Sequence, residues 1–288
     1  MYTLSANQYG KGEIHLVRIY RDTPRHEIRD LTVTTALRGD FADAYLTGDQ
    51  SKVLPTDTQK NTAFAFAKTH GDGAIEDYAI ALGRHFVDSD PYATAADIDV
   101  LADAWDRVVV DGTEHDHTWV KRGPERRNVS VVVTGKAEAQ TVEVTGGVAD
   151  LVILKSTGSE FHGFHKDAYT TLGETDDRIL ATSLDVTWVF ASAPADWDAA
   201  FDAIRTALVS TFATWHSLAL QQTLWQMGQA ALEAVAELAE VRLTAPNKHH
   251  FLYDFTRFTV DPPIPNDNEV FHADDRPYGL IEATVSRA

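Results

Sequence analysis

Twelve histidines make metal chemistry the first possibility to weigh. His115-Asp116-His117 and His162-Gly163-Phe164-His165 are the densest groupings of ligand-type side chains. Neither has the His-Glu-x-x-His spacing that sets two imidazoles on one helix face, and the chain has no cysteine, so a zinc would need imidazoles and carboxylates alone. These histidines read as surface or hydrogen-bonded residues, and the expectation is no metal site. The missing cysteine also removes thiolate nucleophiles, disulfides and iron–sulfur ligands. There is no Gly-x-Ser-x-Gly elbow for a nucleophilic serine. Neither Gly-x-Gly-x-x-Gly nor Gly-x-x-x-x-Gly-Lys-Ser/Thr occurs, which leaves the usual nucleotide cofactors without a phosphate loop.

What remains is a set of short polar stretches. Tyr9-Gly10-Lys11 directly precedes a β-rich run, where a lysine on its own reads as a snorkelling surface cation. Leu54-Pro55-Thr56-Asp57-Thr58-Gln59-Lys60-Asn61-Thr62 has the hydroxyls and the acidic residue of a helix N-terminus. Lys155-Ser156-Thr157 leads through Gly158 to Phe161, and Thr175-Asp176-Asp177-Arg178 looks like a charged loop. In Pro246-Asn247-Lys248-His249-His250-Phe251, an extended backbone puts Asn247, His249 and Phe251 on one face and Lys248 with His250 on the other.

The elements that must position these stretches follow from hydrophobic period. Ile14 to Tyr20 and Ile28 to Leu37 alternate as strands across a turn at Asp22-Thr23-Pro24. A helix over Thr62 to Lys68, closed by Gly71, is followed by one whose Ile75, Tyr78, Ala79, Leu82 and Phe86 form a stripe of period 3.6. Strand-like composition returns over Ala104–Val110, Thr118–Val120 and Val129–Val133. The second half repeats the order: strands at Val142–Val144, Leu151–Leu154 and Val186–Phe190, then two helices. The first carries Trp197, Phe201, Ile204, Leu208 and Phe212, the second Leu224, Met227, Ala231, Val235 and Leu238 with Glu233, Glu237 and Glu240 outside. Strand runs Phe251–Val260 and Tyr278–Val285 close the chain around a loop from Asp261 to Asp275. Strand, strand, helix, helix, strand, strand thus occurs twice, which predicts two similar domains, residues 1–137 and 138–288.

Composition bounds the partners. With 25 Lys+Arg against 43 Asp+Glu, the 288-residue chain carries a net charge of −18, which argues against nucleic acid. Apolar residues at 44% and charged residues at 24% are those of an ordinary globular protein. No run approaches the ~20 apolar residues that span a bilayer. Met1-Tyr2-Thr3-Leu4-Ser5 lacks the basic and apolar regions of a signal peptide, so a cytoplasmic protein is expected. Ser286-Arg287-Ala288 matches a peroxisomal Ser-Lys-Leu address only loosely, ending in alanine.

Taken together and in order, Tyr9-Gly10-Lys11, Thr56-Asp57 with Lys60-Asn61-Thr62, Lys155-Ser156-Thr157 with Phe161, and Pro246-Asn247-Lys248-His249 resemble the urate oxidase (uricase) family over nearly the whole chain. The resemblance implies an α+β protein of two tandem tunnelling-fold (T-fold) domains. Their antiparallel sheets, with helices on the outer face, assemble into a barrel in a homotetramer. It further implies urate as substrate, O2 as co-substrate, no cofactor and no metal. Position by position it assigns Lys11, Thr56 and His249 to a catalytic relay. Phe161, Arg178, Gln221 and the main-chain N–H groups of Asp57 and Leu220 are assigned to the purine, with Thr56 beside it, and Asn247 to dioxygen. The resemblance also implies pockets at subunit interfaces, with Thr56 and Asp57 supplied by a neighbour.

The chemistry of these types is consistent with those roles. An aromatic face stacks on a flat purine, arginine offers a planar fork that lysine cannot copy, and one amide supplies both a donor and an acceptor. Gln221 is chosen over the adjacent Gln222 by register with Thr223, and Gln222 stays open. Two rivals remain: a non-catalytic purine-binding protein, and a pterin-metabolising T-fold enzyme, which would need a zinc site or a cysteine.

Overall fold

The structure is a computed structural model and describes residues 2–288. It is α+β, with antiparallel strand pairing and helices packed on the sheet, and it separates into two compact units. The first comprises the described residues up to 149 with 189–199, and the second residues 150–188 with 200–288.

In the first unit, β1 (Tyr9–Tyr20) pairs with β2 (Glu27–Gly39), which carries on through α1 (Ala42–Leu46), α2 (Thr56–Thr69) and α3 (Ile75–Ser89) to β3 (Ala93–Val110) and β4 (Thr113–Thr134). The strand order is β1-β2-β3-β4, followed by β5 (Thr141–Lys155), along which the chain passes from one unit to the other. Register sets apolar residues opposite one another: Ile14 faces Val33, Val33 faces Val100, and Ile98 faces Val131. α3 lays its expected stripe on β3 and β4, with Tyr78, Ala79, Leu82 and Phe86 fully buried. The strand runs expected separately at Thr118–Val120 and Val129–Val133 belong to one long strand, because polar residues on a strand's solvent face do not end it. α2 starts at Thr56, earlier than its apolar content suggested, and α1 was not foreseen.

One buried ion pair anchors this unit. Glu76, only 3% exposed in the first turn of α3, accepts two hydrogen bonds from Arg127 Nη2 at 2.9 and 2.7 Å. Burial pushes the Glu76 carboxyl up, and the Arg127 charge opposes that shift. Arg127→Met would leave a buried carboxylate without its cation, and is expected to cost about 3–5 kcal/mol in urea unfolding. Glu76→Gln combined with Arg127→Met is expected to recover part of that loss.

The second unit holds β6 (Leu180–Phe190), α4 (Trp197–Thr214), α5 (Leu220–Ala234), β7 (Leu238–Pro246), β8 (His249–Leu252), β9 (Phe271–Asp274) and β10 (Leu280–Ser286), the last residues of β6 and first of α4 clustering with the first unit. Strands run in the order β6-β7-β10, and β8 and β9 form a separate antiparallel ribbon. α5 packs on β7 and β10 through Leu224, Met227 and Ala231. It approaches so closely that a Cβ on Gly228 would stand 2.5 Å from Val285 Cγ2, so a larger residue there would force the helix or Val285 to shift.

Here the structure corrects three expectations. The helical stripe continued to Val235 and Leu238, but the helix ends at Ala234 and Leu238 opens β7. Leu238 extends the helical spacing of Ala231 and Val235, and the alternate burial of the strand begins only at Val241, continuing at Leu243 and Ala245. The run Phe251–Val260 is strand only to Leu252. Beyond it the Asp254 carboxylate accepts the Thr256 N–H and bends the chain into a 3-10 turn at Phe255–Arg257. Within the Pro- and Asp-rich loop, Phe271–Asp274 forms β9 against β8.

Candidate active site

In the first unit Lys11 sits at a β-bulge. It pairs with Thr35, pairing resumes at Ile14 with Val33, and Glu13 adopts a positive φ of 54° to take up the extra length. Gly10 is required just before it, because an added Cβ would lie 1.7 Å from the Thr35 carbonyl oxygen. The buried Thr35 hydroxyl donates to Gln59 Oε1 at 2.8 Å, which ties the bulge to α2 one turn beyond Thr56.

Thr56 and Asp57 open α2 after Pro55, whose fixed φ suits the entry. No side chain caps this end, and the Gln59 N–H is the first to bond back, to the Pro55 carbonyl. The N–H groups of Thr56, Asp57 and Thr58 therefore have no acceptor inside the helix, and the helix dipole adds positive potential there. The Asp57 carboxylate does not cancel it: Lys60 and Asn61 bond it, and it is held below its usual range chiefly by the Lys60 hydrogen bond, with Lys11 contributing charge. Thr56 also lines a cavity of ≈ 590 Å³ with Tyr9, Phe41 and Tyr45. The Tyr9 hydroxyl accepts the Leu54 N–H there, and burial lifts its pKa to about 12.

The second unit has a cavity of ≈ 390 Å³ lined by Phe161, Arg178, Asn247 and His249, together with Ile179 and Phe271. Two strands of irregular backbone make its wall. Phe161 and Thr175 exchange both main-chain hydrogen bonds, at 2.8 and 3.1 Å, and the Arg178 N–H reaches the Ser159 carbonyl at 2.7 Å. The Arg178 guanidinium carbon lies 5.0 Å from the centre of the Phe161 ring. Its Nε is buried without a hydrogen-bond partner, and burial holds the guanidinium below its ordinary pKa. A half-buried planar cation whose Nε lacks a partner, set against an aromatic shelf, is a receptor for a flat anion.

The other side of the cavity comes from the end of β7 and from β8. The Asn247 N–H bonds the Gly279 carbonyl and the Lys248 N–H the Ala181 carbonyl, which fixes the backbone and leaves the Asn247 amide at the cavity. His249 and Phe251 stack with centroids 5.7 Å apart, on one face as the alternation predicts. His250 also lines the cavity, which alternation had turned away.

Leu220 and Gln221 do not line this cavity, but their helix start is tied to it. Ser217, buried just before α5, accepts the Glu160 N–H at 2.8 Å and donates its own N–H to Gly158. Leu220 opens the helix, so its N–H is among those without a helical acceptor. Gln222 Oε1 accepts the Leu218 N–H at 3.2 Å and is committed to that turn, whereas Gln221 is exposed. Of the Lys155-Ser156-Thr157 motif, Lys155 donates to the Trp215 carbonyl and Thr157 to Asp177. Asp177, held below the usual carboxylate range first by the Thr157 hydroxyl, also accepts the Gly158 N–H. The motif fixes the backbone beside Arg178 without entering the pocket. Asp177, Ile179 and Phe271 were missed in the sequence because nothing local marks an acidic loop residue or an isolated apolar one as lining a pocket.

The uricase family model matches residues 7–132 and 144–282. A uricase of Arthrobacter globiformis is 46% identical over 99% of this chain and 90% of that protein. One from Dictyostelium discoideum is 34% identical over 100% of this chain and 99% of that protein. The crystal structure of the Arthrobacter globiformis uricase superposes with a TM-score of 0.91 at 45% identity, covering 100% of this chain and 96% of that one. The match runs through the lysine bulge, the open start of α2 and the arginine shelf alike, and the chain belongs to the uricase family.

Proposed function

We propose that this chain oxidises urate with O2 and water to 5-hydroxyisourate and hydrogen peroxide. The observation that carries this reading is the unpaired Arg178 guanidinium over Phe161, in a cavity that also holds Asn247 and His249. Urate is flat, edged by C=O and N–H groups, and anionic at neutral pH. Phe161 stacks on its face, Arg178 donates its fork to an oxygen and a ring nitrogen, and the Gln221 amide meets an edge that both donates and accepts. The unpaired N–H groups of Asp57 and Leu220, at the starts of α2 and α5, bind remaining acceptors. A chain of net charge −18 holds an anion only through such local donors.

Lys11 takes a proton from urate through the Thr56 hydroxyl, with His249 orienting the relay. The electron-rich anion then gives two electrons to O2 held at the Asn247 amide. O2 leaves as hydrogen peroxide, and water supplies the hydroxyl that forms the new C–O bond. Because the substrate is itself the reductant, no resident cofactor is required, and the protein contributes proton removal and placement. The Lys11, Thr56 and His249 relay favours this reading over a purine-binding protein that has lost its chemistry.

The assembly belongs to the same proposal: two T-fold domains, 1–137 and 138–288, supported by the repeated element order, in a homotetramer whose pockets take Thr56 and Asp57 from a neighbour. The exposed apolar side chains of Phe251, Leu252, Tyr253 and Phe258 are surface for such an interface. No helix among the described residues is long and apolar enough to cross a membrane.

The test is direct. Protein dialysed against chelator and mixed with urate is expected to consume the urate absorbance and release peroxide at the untreated rate. No turnover, or turnover restored only by a metal ion, overturns the proposal.

A further inference from the structure

Beside the Phe161 shelf lies a second cluster. Phe161 pairs with Thr175 across the two segments, and Glu160, His162 and Asp176 are their immediate neighbours in the chain. Phe161 and Thr175 line the purine pocket, and Glu160, His162 and Asp176 do not. One ligand-type atom each of Glu160, His162 and Asp176 lies within 4.8 Å of the others. His162 Nε2 is 2.5 Å from Glu160 Oε2, and His216 Nε2 bonds the other oxygen, Oε1. These two imidazoles, His216 first, hold Glu160 below the usual carboxylate range.

We propose that Glu160, His162 and Asp176 form a binding site for a borderline divalent transition ion of the Zn²⁺ class, with His216 orienting the Glu160 carboxylate. Bonds of about 2.0–2.2 Å place neighbouring ligand atoms of a tetrahedral site about 3.3 Å apart, which small side-chain rotations reach from the present separations. One imidazole nitrogen and two carboxylate oxygens suit such an ion and leave a fourth position for water. The hydrogen bond from His216 to a ligating carboxylate is the outer support that metal sites use to fix a ligand. An ion here clips the segment of Phe161 to the segment that leads to Arg178, through residues outside the pocket lining. It takes no part in turnover, so it is compatible with oxidation that needs no cofactor. Asp176 comes from across the strand pair, which is why spacing along His162-Gly163-Phe164-His165 gave no sign of the site.

Chelator-stripped protein titrated with Zn²⁺ in a calorimeter is expected to bind one ion per chain, and Co²⁺ is expected to give the intense visible absorption of a tetrahedral site. His162→Gln and Asp176→Asn, both exposed positions, are each expected to weaken binding at least about tenfold. His165→Gln, outside the cluster, is expected to bind as the parent does. Absence of heat and of cobalt absorption in the parent protein overturns the proposal, as does unchanged affinity in both ligand variants. Neither readout needs turnover, so failure of the urate assay leaves this test intact.

Discussion

Lys11→Met is expected to lower kcat by about 10²–10⁴-fold, the range for loss of a positioned general base, while a xanthine that cannot be oxidised still binds. The substitution keeps most of the side-chain length at the bulge between Gly10 and Ile14 and removes only the amine. Arg178→Lys is expected to do the reverse. It keeps a positive charge near Phe161 but loses the planar fork, so both urate and the inert xanthine should bind about 1–3 kcal/mol more weakly. Stopped-flow turnover and equilibrium binding of the xanthine, measured on both variants, separate the two effects. Equal loss of xanthine affinity in both would merge the proton-removing and purine-clamping roles.

Much of the fold could be read from period alone, where one reading fitted the residues. The stripe of α3 is such a case, because Tyr78, Leu82 and Phe86 have no alternating pattern to compete with. The end of α5 is the opposite case: Leu238 continues the helical spacing of Ala231 and Val235, yet it opens β7, whose pairing with β10 runs from Glu240 to Pro246. The ribbon of β8 and β9 was half visible. His249 to Leu252 looks extended, but its partner Phe271–Asp274 lies in a stretch whose prolines and aspartates read as loop.

The site was legible in a different way. Phe161, Arg178, Asn247 and His249 share no local pattern, yet they line one cavity, brought together by the Phe161–Thr175 pairing and the Asn247–Gly279 bond. The resemblance of short motifs in order found them, where composition and spacing had left ordinary loops. What it could not supply was support. Asp177 and Ser217, which fix the backbone under Arg178 and Gln221, are visible only once the chain is folded.

Complementation is expected to show where the pocket is built. Lys11, Thr56 and Asp57 belong to the first unit, and Phe161, Arg178, Gln221 and His249 to the second. In the proposed tetramer the first unit of one chain meets the second unit of a neighbour, so each site needs two chains. Thr56→Ala removes the relay hydroxyl and Arg178→Ala the purine fork, and each homo-oligomer is expected to be nearly inactive. When the two variants are unfolded and refolded together, a working site needs a Thr56 from one chain and an Arg178 from the other. Half the chains carry each wild-type residue, so random pairing yields both in about a quarter of sites. Activity should therefore rise towards about one quarter of the wild-type value and fall again on dilution below the assembly range. If each pocket were built within one chain, every chain would keep its own lesion and mixed oligomers would stay inactive.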